Sequence, residues 1–300
     1  MFLMDNLAQR EFYLKNDNGH NINILEGDYV NGPRVVLINI HGIGSHFQPI
    51  IDETDFDNFF RRDEIFRKSR IKSYALEFQG HGKSEGPKFL VNNFTSLVED
   101  IRVLIDYLNE RYPSVKKFIL AESMGANASI RYCIKYNNID GIILLSPMCG
   151  VSKEIVPSCC LRKILIPLSY FFPNFPLPAR SQSTMGIKNK KYNELKEQCI
   201  YNCCGYIKLA TGRECLNAAL TLPEVVKNFN TPVIAFHDMD DNITDPYITQ
   251  SFIDNCSSKD KSFNPITNSH HSLLLFNDEH SNNPKLIISN IISWINDRLN

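Results

Sequence analysis

The sequence has no surplus of charge of one sign and no long apolar run. Its 300 residues contain 32 lysines and arginines against 33 aspartates and glutamates, which gives a formal net charge of −1. A nucleic-acid-binding protein carries a basic surplus that neutralises phosphates, so we expect no nucleic-acid partner. A membrane-spanning helix needs about 20 mostly apolar residues. The most apolar stretch, Ile164 to Leu177, is interrupted by Pro167, Pro173 and Pro176, and we predict no such helix.

Export and metal signals are also missing. The N-terminus has no basic start and reaches Asp5 almost at once, which is not typical of a signal peptide. The nine cysteines include the adjacent pairs Cys159–Cys160 and Cys203–Cys204, and neighbouring cysteines rarely form a disulfide with each other. We therefore expect reduced thiols and a cytoplasmic protein. The cysteines near Cys199 form no CxxC pair and have no histidine at ligand spacing, so we predict no metal site.

The chain instead contains short apolar runs that alternate with longer amphipathic stretches. Such alternation predicts a mostly parallel sheet with helices on both faces. The turn signal Asp17–Asn18–Gly19 near the N-terminus predicts a hairpin that adds antiparallel strands at one edge. The apolar runs are Val35–Ile40, Ile71–Phe78, Lys117–Ala121, Gly141–Leu145 and Val233–Phe236, and the last predicted strand is Lys261–Ile266. Helical spacing covers Phe94–Leu108, Ala126–Tyr136 and Leu286–Leu299.

The alternation stops at Ser146 and resumes near Thr231. The roughly 80 residues between them are too many for one loop in a compact domain. We predict an α/β core made of residues 1–145 and 231–300, with an inserted helical cap over residues 146–230. We expect most apolar side chains of the cap to pack against the core.

Ala121-Glu122-Ser123-Met124-Gly125 follows an apolar run and opens a helical stretch. A serine between small residues at this junction is typical of the tight strand-to-helix turn that presents a nucleophile. Side chains at positions 121 and 125 would collide in such a turn, so both must be small. The Met124 amide can then donate to a developing oxyanion. The alternative is a serine that only caps the helix.

Three other loops at strand ends contain residues suited to acyl-transfer chemistry. The Ile43 amide, after His41-Gly42, is the candidate second oxyanion donor. Asp241 is the preferred acid of the loop after His237, with Asp240 as the alternative. His271 is the preferred general base, with His270 as the alternative. The resulting order along the chain is Ser, Asp, His, as in α/β-hydrolases.

On these residues the chain resembles the monoacylglycerol lipase and lysophospholipase branch of the α/β-hydrolase superfamily. It departs from that family at Ala121, where glycine is usual, and at Asp238, which replaces the glycine of a His-Gly-x-x-Asp motif. The matching segments are His41-Gly42-Ile43-Gly44, the loop Gly80–Gly86, Glu122-Ser123-Met124-Gly125, Ser146-Pro147, His237 through Pro246, and His271-Ser272-Leu273-Leu274.

The resemblance implies an α/β-hydrolase fold and a serine hydrolase that cleaves carboxylic esters of acyl lipids through an acyl-enzyme. Ser123, Asp241 and His271 would be the catalytic triad, Ile43 and Met124 would supply the oxyanion amides, and no cofactor or metal would be needed. The apolar cap would bind an acyl chain or contact a membrane surface transiently. The alternatives are a small-ester esterase, a thioesterase or an acyltransferase on the same triad, and a ligand-binding homologue without catalysis.

Overall fold

The apolar runs of the sequence form one eight-stranded sheet. The computed structural model of the protein describes residues 10–48, 58–177, 190–202, 207–275 and 282–299. Along the sheet the strand order is β1-β2-β4-β3-β5-β6-β7-β8. The strands are β1 (Glu11–Lys15), β2 (Asn21–Glu26), β3 (Val35–Ile40), β4 (Ile71–Leu76), β5 (Lys116–Glu122), β6 (Gly141–Leu145), β7 (Val233–Asp238) and β8 (Lys261–Ile266).

The sheet is parallel from β4 to β8 and antiparallel at one edge. The hairpin strands β1 and β2 pair antiparallel with each other, and β2 pairs antiparallel with β4. The other neighbours pair in parallel. Both the parallel sheet and the antiparallel edge predicted from the sequence are therefore confirmed. Every residue of β3, β4, β6 and β7 is buried, as expected for strands covered on both faces.

Helices cover both faces of the sheet. Two of them, α1 (Phe59–Lys68) and α7 (Pro246–Asn255), lie outside the helical patterns identified in the sequence, since each has only ten residues. Asn58 caps α1, and Asp245 caps α7 by accepting from the backbone N–H groups of Tyr247 and Ile248. The helices are α1 (Phe59–Lys68), α2 (Thr95–Arg111), α3 (Ser123–Tyr136), α4 (Cys159–Phe171), α5 (Lys190–Gln198), α6 (Leu209–Val225), α7 (Pro246–Asn255) and α8 (Asn283–Asn296).

Two apolar cores result, one on each face of the sheet. Side chains of α2, α3, α6 and α7 pack on one face, where Ile101 and Ile130 are completely buried. Side chains of α1 and α8 pack on the other face, where Phe66 and Ile291 are completely buried. Because the strands between these two layers are parallel, their carboxyl ends all lie at one edge of the sheet. This is the position at which α/β folds bind ligands.

The helices α4, α5 and α6 lie between β6 and β7, in the segment predicted as a cap. The expectation that most apolar side chains there pack on the core is wrong for α4 and the residues after it. Ile164 is 64% exposed and Phe171 is 80% exposed, and Tyr170, Phe172 and Phe175 are also exposed. Helix α4 packs against α6 with only part of its surface. Among the described residues, no helix has the length and apolar character needed to cross a bilayer.

We predict that Gly125→Ala destabilises the protein, because an added Cβ at this position of α3 would lie 2.3 Å from the His41 carbonyl oxygen. Overpacking of this kind lowers the free energy of unfolding by about 1–3 kcal/mol. Urea denaturation measures the loss. The control is Gly212→Ala in α6, whose Cβ would meet only a movable Leu177 methyl at 2.8 Å. Equal stability of the Gly125→Ala variant and the wild type would contradict the packing described.

Candidate active site

Ser123 stands at the junction of β5 and α3 in an unusual backbone conformation. Its φ is +52°, in the left-handed region that non-glycine residues seldom adopt. The Met148 amide donates to the Ser123 carbonyl at 3.0 Å and holds the turn. The serine is 6% exposed and lines a cavity at the carboxyl edge of the sheet. The turn thus presents the hydroxyl rather than burying it in the helix.

The loop after β3 packs directly on this turn. A Cβ added at Gly42 would lie 3.1 Å from the Ser123 Cβ. The small residue at position 125 is required by the same loop, because its nearest neighbour is the His41 carbonyl. The size limit at position 125 therefore comes from the close approach of α3 to the end of β3, and not from the predicted collision with residue 121.

Ser123, His271 and Asp241 form a continuous chain of hydrogen bonds. The Ser123 Oγ lies 3.0 Å from His271 Nε2, and His271 Nδ1 lies 2.7 Å from Asp241 Oδ2. An ionised carboxylate can only accept, so Nδ1 carries the ring proton and Nε2 accepts from the serine hydroxyl. This is the tautomer that a general base for the serine requires.

The alternative acid and base lie elsewhere. Asp240 is exposed, and its N–H donates to Asp238 Oδ1 at 2.8 Å. The His270 N–H donates to the other Asp238 oxygen at 2.7 Å. The structure therefore brings together the preferred residues Asp241 and His271, and leaves the two alternatives as neighbours that help to shape the loops.

Asp241 is a fully buried carboxylate with several hydrogen-bond donors. Its Oδ1 accepts from the Ile243 and Thr244 amides at 2.8 and 3.2 Å. Its Oδ2 accepts from the Thr244 hydroxyl at 2.8 Å and faces His237 Nε2 at 3.1 Å. Burial by itself would raise the pKa of Asp241. The attraction of His271 and the hydrogen bonds outweigh burial and hold this pKa well below its usual range. The carboxylate is therefore ionised at neutral pH.

His271 has the opposite perturbation. Burial of the ring disfavours its charged form, but the Asp241 carboxylate attracts that form and accepts its hydrogen bond, so the pKa of His271 rises above 6.5. Glu122 adds to this rise, and Lys196 opposes it. A raised pKa makes the imidazole a stronger proton acceptor for the serine.

The two predicted oxyanion amides lie beside the serine. Met124 is in the first turn of α3, where backbone N–H groups have no acceptor within the helix. Ile43 lines the same cavity as Ser123. His41 Nδ1 donates to the Gly42 carbonyl at 2.7 Å, while its Nε2 accepts from the Phe78 amide at 3.1 Å. The Gly42 carbonyl and the Ile43 N–H belong to one trans peptide and point in opposite directions, so His41 also orients the Ile43 amide.

A cavity of about 270 Å³ extends from Ser123 beneath the helices that follow β6. Its wall is almost entirely apolar. Only two charged side chains contribute, Arg162 and Arg213, and no aspartate or glutamate is among the described lining residues. The apolar lining is Ile43, Met148, Val151, Ile155, Val156, Pro157, Leu161, Leu165, Ile166, Leu177, Ile207, Leu209, Leu216 and Ile243, with Cys215 and Gly212.

Metal-ligand clusters are absent from the part of the chain that the structure describes, where no three His, Cys, Asp or Glu side chains come together to hold an ion. Cys199 lies 3.4 Å from His46 Nε2 through its sulfur. Cys203 and Cys204, considered with it in the sequence, lie outside the described residues.

Comparison with known proteins places this geometry in a family. A family model described as serine aminopeptidase, S33, matches residues 31–279, well over half of the chain. The chain belongs to this family. Monoglyceride lipase of Mus musculus is 24% identical over 273 residues, covering 89% of this chain and 84% of the mouse protein.

Solved structures agree on the fold of this S33 family member. A soluble variant of monoglyceride lipase from Saccharomyces cerevisiae, in complex with a substrate analogue, superposes with a TM-score of 0.77 at 20% identity, covering 96% of this chain and 95% of that one. The monoacylglycerol lipase of Paleococcus ferrophilus has a TM-score of 0.74 at 19% identity, with coverages of 92% and 99%. The α/β-hydrolase fold predicted from the sequence is confirmed.

Two threonines of this S33 site, Thr244 and Thr249, are not identified by the sequence patterns. The Thr244 hydroxyl lies within 3.3 Å of His237 Nε2, Asp241 Oδ2 and His271 Nδ1. His237 in turn faces the Thr249 hydroxyl through Nδ1 at 3.0 Å. One sequence signal points to this loop. An aspartate after a strand often forms an Asx turn, in which its carboxylate accepts from the backbone N–H groups that follow, here those of Ile243 and Thr244.

We predict that the pKa of His271 in the wild type, measured by NMR titration of the ring, exceeds that of the Asp241→Asn variant. The reason is that the amide side chain removes the charge that stabilises the imidazolium. The control is Asp240→Asn, which removes an exposed charge with no hydrogen bond to the ring. A His271 pKa that falls in Asp240→Asn but not in Asp241→Asn would contradict the pairing described.

Proposed function

We propose that this protein is a serine esterase that cleaves carboxylic esters of acyl lipids, of the monoacylglycerol or lysophospholipid type. The observation that carries the proposal is the hydrogen-bonded chain Ser123–His271–Asp241 at the mouth of an apolar cavity. A nucleophile, a base and an orienting acid in this order suit acyl transfer. The apolar wall suits a hydrocarbon chain.

The proposed reaction has two steps. His271 takes the Ser123 proton as Oγ attacks the ester carbonyl, and the Ile43 and Met124 amides stabilise the oxyanion by roughly 3–4 kcal/mol per donor. The imidazolium then protonates the leaving alcohol, and the acyl group remains on the serine. In the second step His271 activates a water that releases the acid and restores Ser123. Asp241 remains ionised throughout and stabilises the imidazolium.

The lining of the cavity favours an ester over an amino-terminal peptide, although the family description names an aminopeptidase. An aminopeptidase must bind the ammonium group of its substrate, for which a carboxylate is the natural partner. No aspartate or glutamate is found among the described lining residues. Relatives and structural neighbours are named monoglyceride or monoacylglycerol lipase. These names support acyl glycerols as the substrate class.

The division of the chain follows from the same proposal. Residues 1–145 and 231–300 would form the catalytic core, and residues 146–230 would form the cap that supplies most of the apolar wall. The outward side of α4, with Ile164, Tyr170, Phe171 and Phe172 exposed, supports transient contact of the cap with a membrane surface. We propose a cytoplasmic enzyme that binds its lipid substrate at a membrane surface.

We predict that the wild type reacts with a fluorophosphonate probe and hydrolyses 1-oleoylglycerol, and that Ser123→Ala abolishes both. The serine oxygen is the nucleophile in each reaction. Ser123→Ala removes only this hydroxyl, whose hydrogen-bond partner is His271, and should leave the fold intact. Gel fluorescence and release of oleic acid measure the two activities, with circular dichroism as the check on folding. A folded wild type that does not label would contradict the proposal and leave a ligand-binding protein.

Two matched pairs of variants serve as controls for this experiment. His271→Ala and Asp241→Asn should lower kcat by about 10⁴-fold, as losses of triad members do. His270→Ala and Asp240→Asn change the neighbouring residues of the same types and should have much smaller effects. The reverse ranking would overturn the assignments. Transfer of the acyl group to added glycerol in place of water would identify the acyltransferase alternative.

We predict that Tyr170→Ser combined with Phe171→Ser weakens binding to phosphatidylcholine vesicles by roughly tenfold or more, because each aromatic side chain loses apolar area that the bilayer would cover. Vesicle sedimentation measures the binding. The matched control is Tyr29→Ser, which removes an aromatic side chain that is 80% exposed, like Phe171, but lies far from the cap in sequence. Equal binding by all three proteins would contradict membrane contact through α4.

A further inference from the structure

Arg162 is one of two cations in the mostly apolar wall of the cavity, and no described residue supplies its counter-charge. It is half-buried on α4 and lines the cavity that contains Ser123. Its Nε atom is buried without a hydrogen-bond partner. Among the described residues, no carboxylate pairs with its guanidinium. A buried polar atom without a partner is unfavourable, so an occupant that supplies an acceptor here would be stabilised.

The second arginine of the same wall is different. Arg213 donates through Nε to Glu214 at 3.0 Å and through Nη1 to the Ser169 hydroxyl at 2.8 Å. Its guanidinium also lies 4.1 Å from the centre of the Tyr170 ring. The charge of Arg213 is therefore balanced within the protein. The net positive charge that faces the cavity comes from Arg162.

The position of Arg162 on its helix strengthens this positive charge. The Arg162 amide makes the first bond of α4 by donating to the Ser158 carbonyl, so its side chain lies in the first turn. The amino end of a helix carries partial positive charge and favours acidic side chains, yet the first turn of α4 contains none. Leu161 of this turn and Pro157, which precedes the capping Ser158, also line the cavity. The helix dipole and the guanidinium thus act on one part of the wall.

We propose that Arg162 binds an anionic group of the substrate, so that the site prefers acyl esters bearing a phosphate or a carboxylate over neutral acyl glycerols. The inference rests on the proposed esterase function and specifies its substrate class. A guanidinium donates two parallel hydrogen bonds to either anion. The apolar remainder of the cavity accommodates the acyl chain, and Ser123 faces the ester between the two parts. The named relatives act on a neutral ester by their names, so this preference would distinguish the present chain.

Two short-chain esters test the preference with monomeric substrates, below the concentration at which they form micelles. They are 1-octanoylglycerol and 1-octanoylglycerol 3-phosphate. We expect Arg162→Gln to lower the ratio of kcat/KM for the phosphate ester to that for the neutral ester by roughly 10- to 100-fold, the range for a lost charge-assisted hydrogen bond. The loss should fall mainly on KM. Arg162→Lys keeps the charge but not the paired donors, so its ratio should lie between those of the wild type and Arg162→Gln.

The matched control is Lys163→Gln, which removes an exposed cation from the next position of α4 and does not line the cavity. Its ratio should equal that of the wild type. A third substrate, the octanoyl ester of glyceric acid, replaces the phosphate by a carboxylate. Dependence on Arg162 for the phosphate ester alone, the carboxylate ester alone or both supports the proposal and identifies the anion.

Three results would overturn the proposal. The first is that Arg162→Gln leaves kcat/KM unchanged for the neutral ester and for both anionic esters. The second is an equal loss on neutral and anionic esters, which would indicate a packing role. The third is an effect seen only with anionic vesicles and not with monomeric esters, which would place Arg162 at the membrane surface. Melting temperatures of the variants identify any that fail to fold, and Arg162→Lys then carries the comparison.

A binding measurement separates this inference from the esterase function. In the Ser123→Ala background, calorimetry with 1-octanoylglycerol 3-phosphate should show binding that Arg162→Gln weakens by roughly 10-fold or more. If the wild type cleaves no ester while this dependence holds, the esterase function fails and the anion site stands. If the neutral ester is cleaved but Arg162→Gln weakens binding of neither the phosphate ester nor the carboxylate ester, the anion site fails and the esterase function stands.

Discussion

The site depends on one buried pair, the Asp241 carboxylate and the His271 imidazole. An ionised carboxylate away from water is strongly unfavourable unless its oxygens are satisfied. Here both oxygens accept, from two backbone amides, the Thr244 hydroxyl and the ring of His271. These bonds have a structural consequence beyond charge. They tie the loop after β7 to the loop after β8, and so set the direction in which His271 Nε2 faces Ser123.

The order of the strands brings distant residues to this pair. Ser123 follows β5, Asp241 follows β7 and His271 follows β8, and these strands lie on the same side of β3 in the sheet. The loop after β3 approaches from the other side of β5 and presents Ile43. Parallel strands end at one edge, so residues nearly 150 positions apart meet there. The close contact between Gly125 and the His41 carbonyl keeps the serine turn and the oxyanion loop in register.

The strands and the triad could be predicted because each has a local signal. Val35–Ile40, Gly141–Leu145 and Lys261–Ile266 form strands with the predicted bounds. The first two are apolar runs that end at His41–Gly42 and Ser146–Pro147, which break a strand. Asp241 keeps its place in the His-Gly-x-x-Asp motif counted from His237. His271 lies between the last predicted strand and the C-terminal helix. The roles of Thr244 and the unpaired state of Arg162 could not be predicted, because each depends on which side chains meet in space. Periodicity also cannot distinguish an apolar residue that packs on the sheet from one that faces outward, which is why the exposure of α4 was not anticipated.

That exposure and the position of Arg162 have a common origin in the two sides of α4. Leu161, Leu165 and Ile166 line the cavity, although Leu161 and Ile166 remain 45% and 38% exposed. Ile164, Tyr170 and Phe171 do not line it and are 64–80% exposed. A helix that is apolar all round is normally enclosed on all sides. This one is enclosed on the cavity side only, so its outer side favours an apolar phase while its inner side favours an acyl chain. Arg162 is the charged exception on the inner side. A substrate with both an apolar chain and an anion satisfies that side completely, whereas a neutral ester leaves the guanidinium without an acceptor.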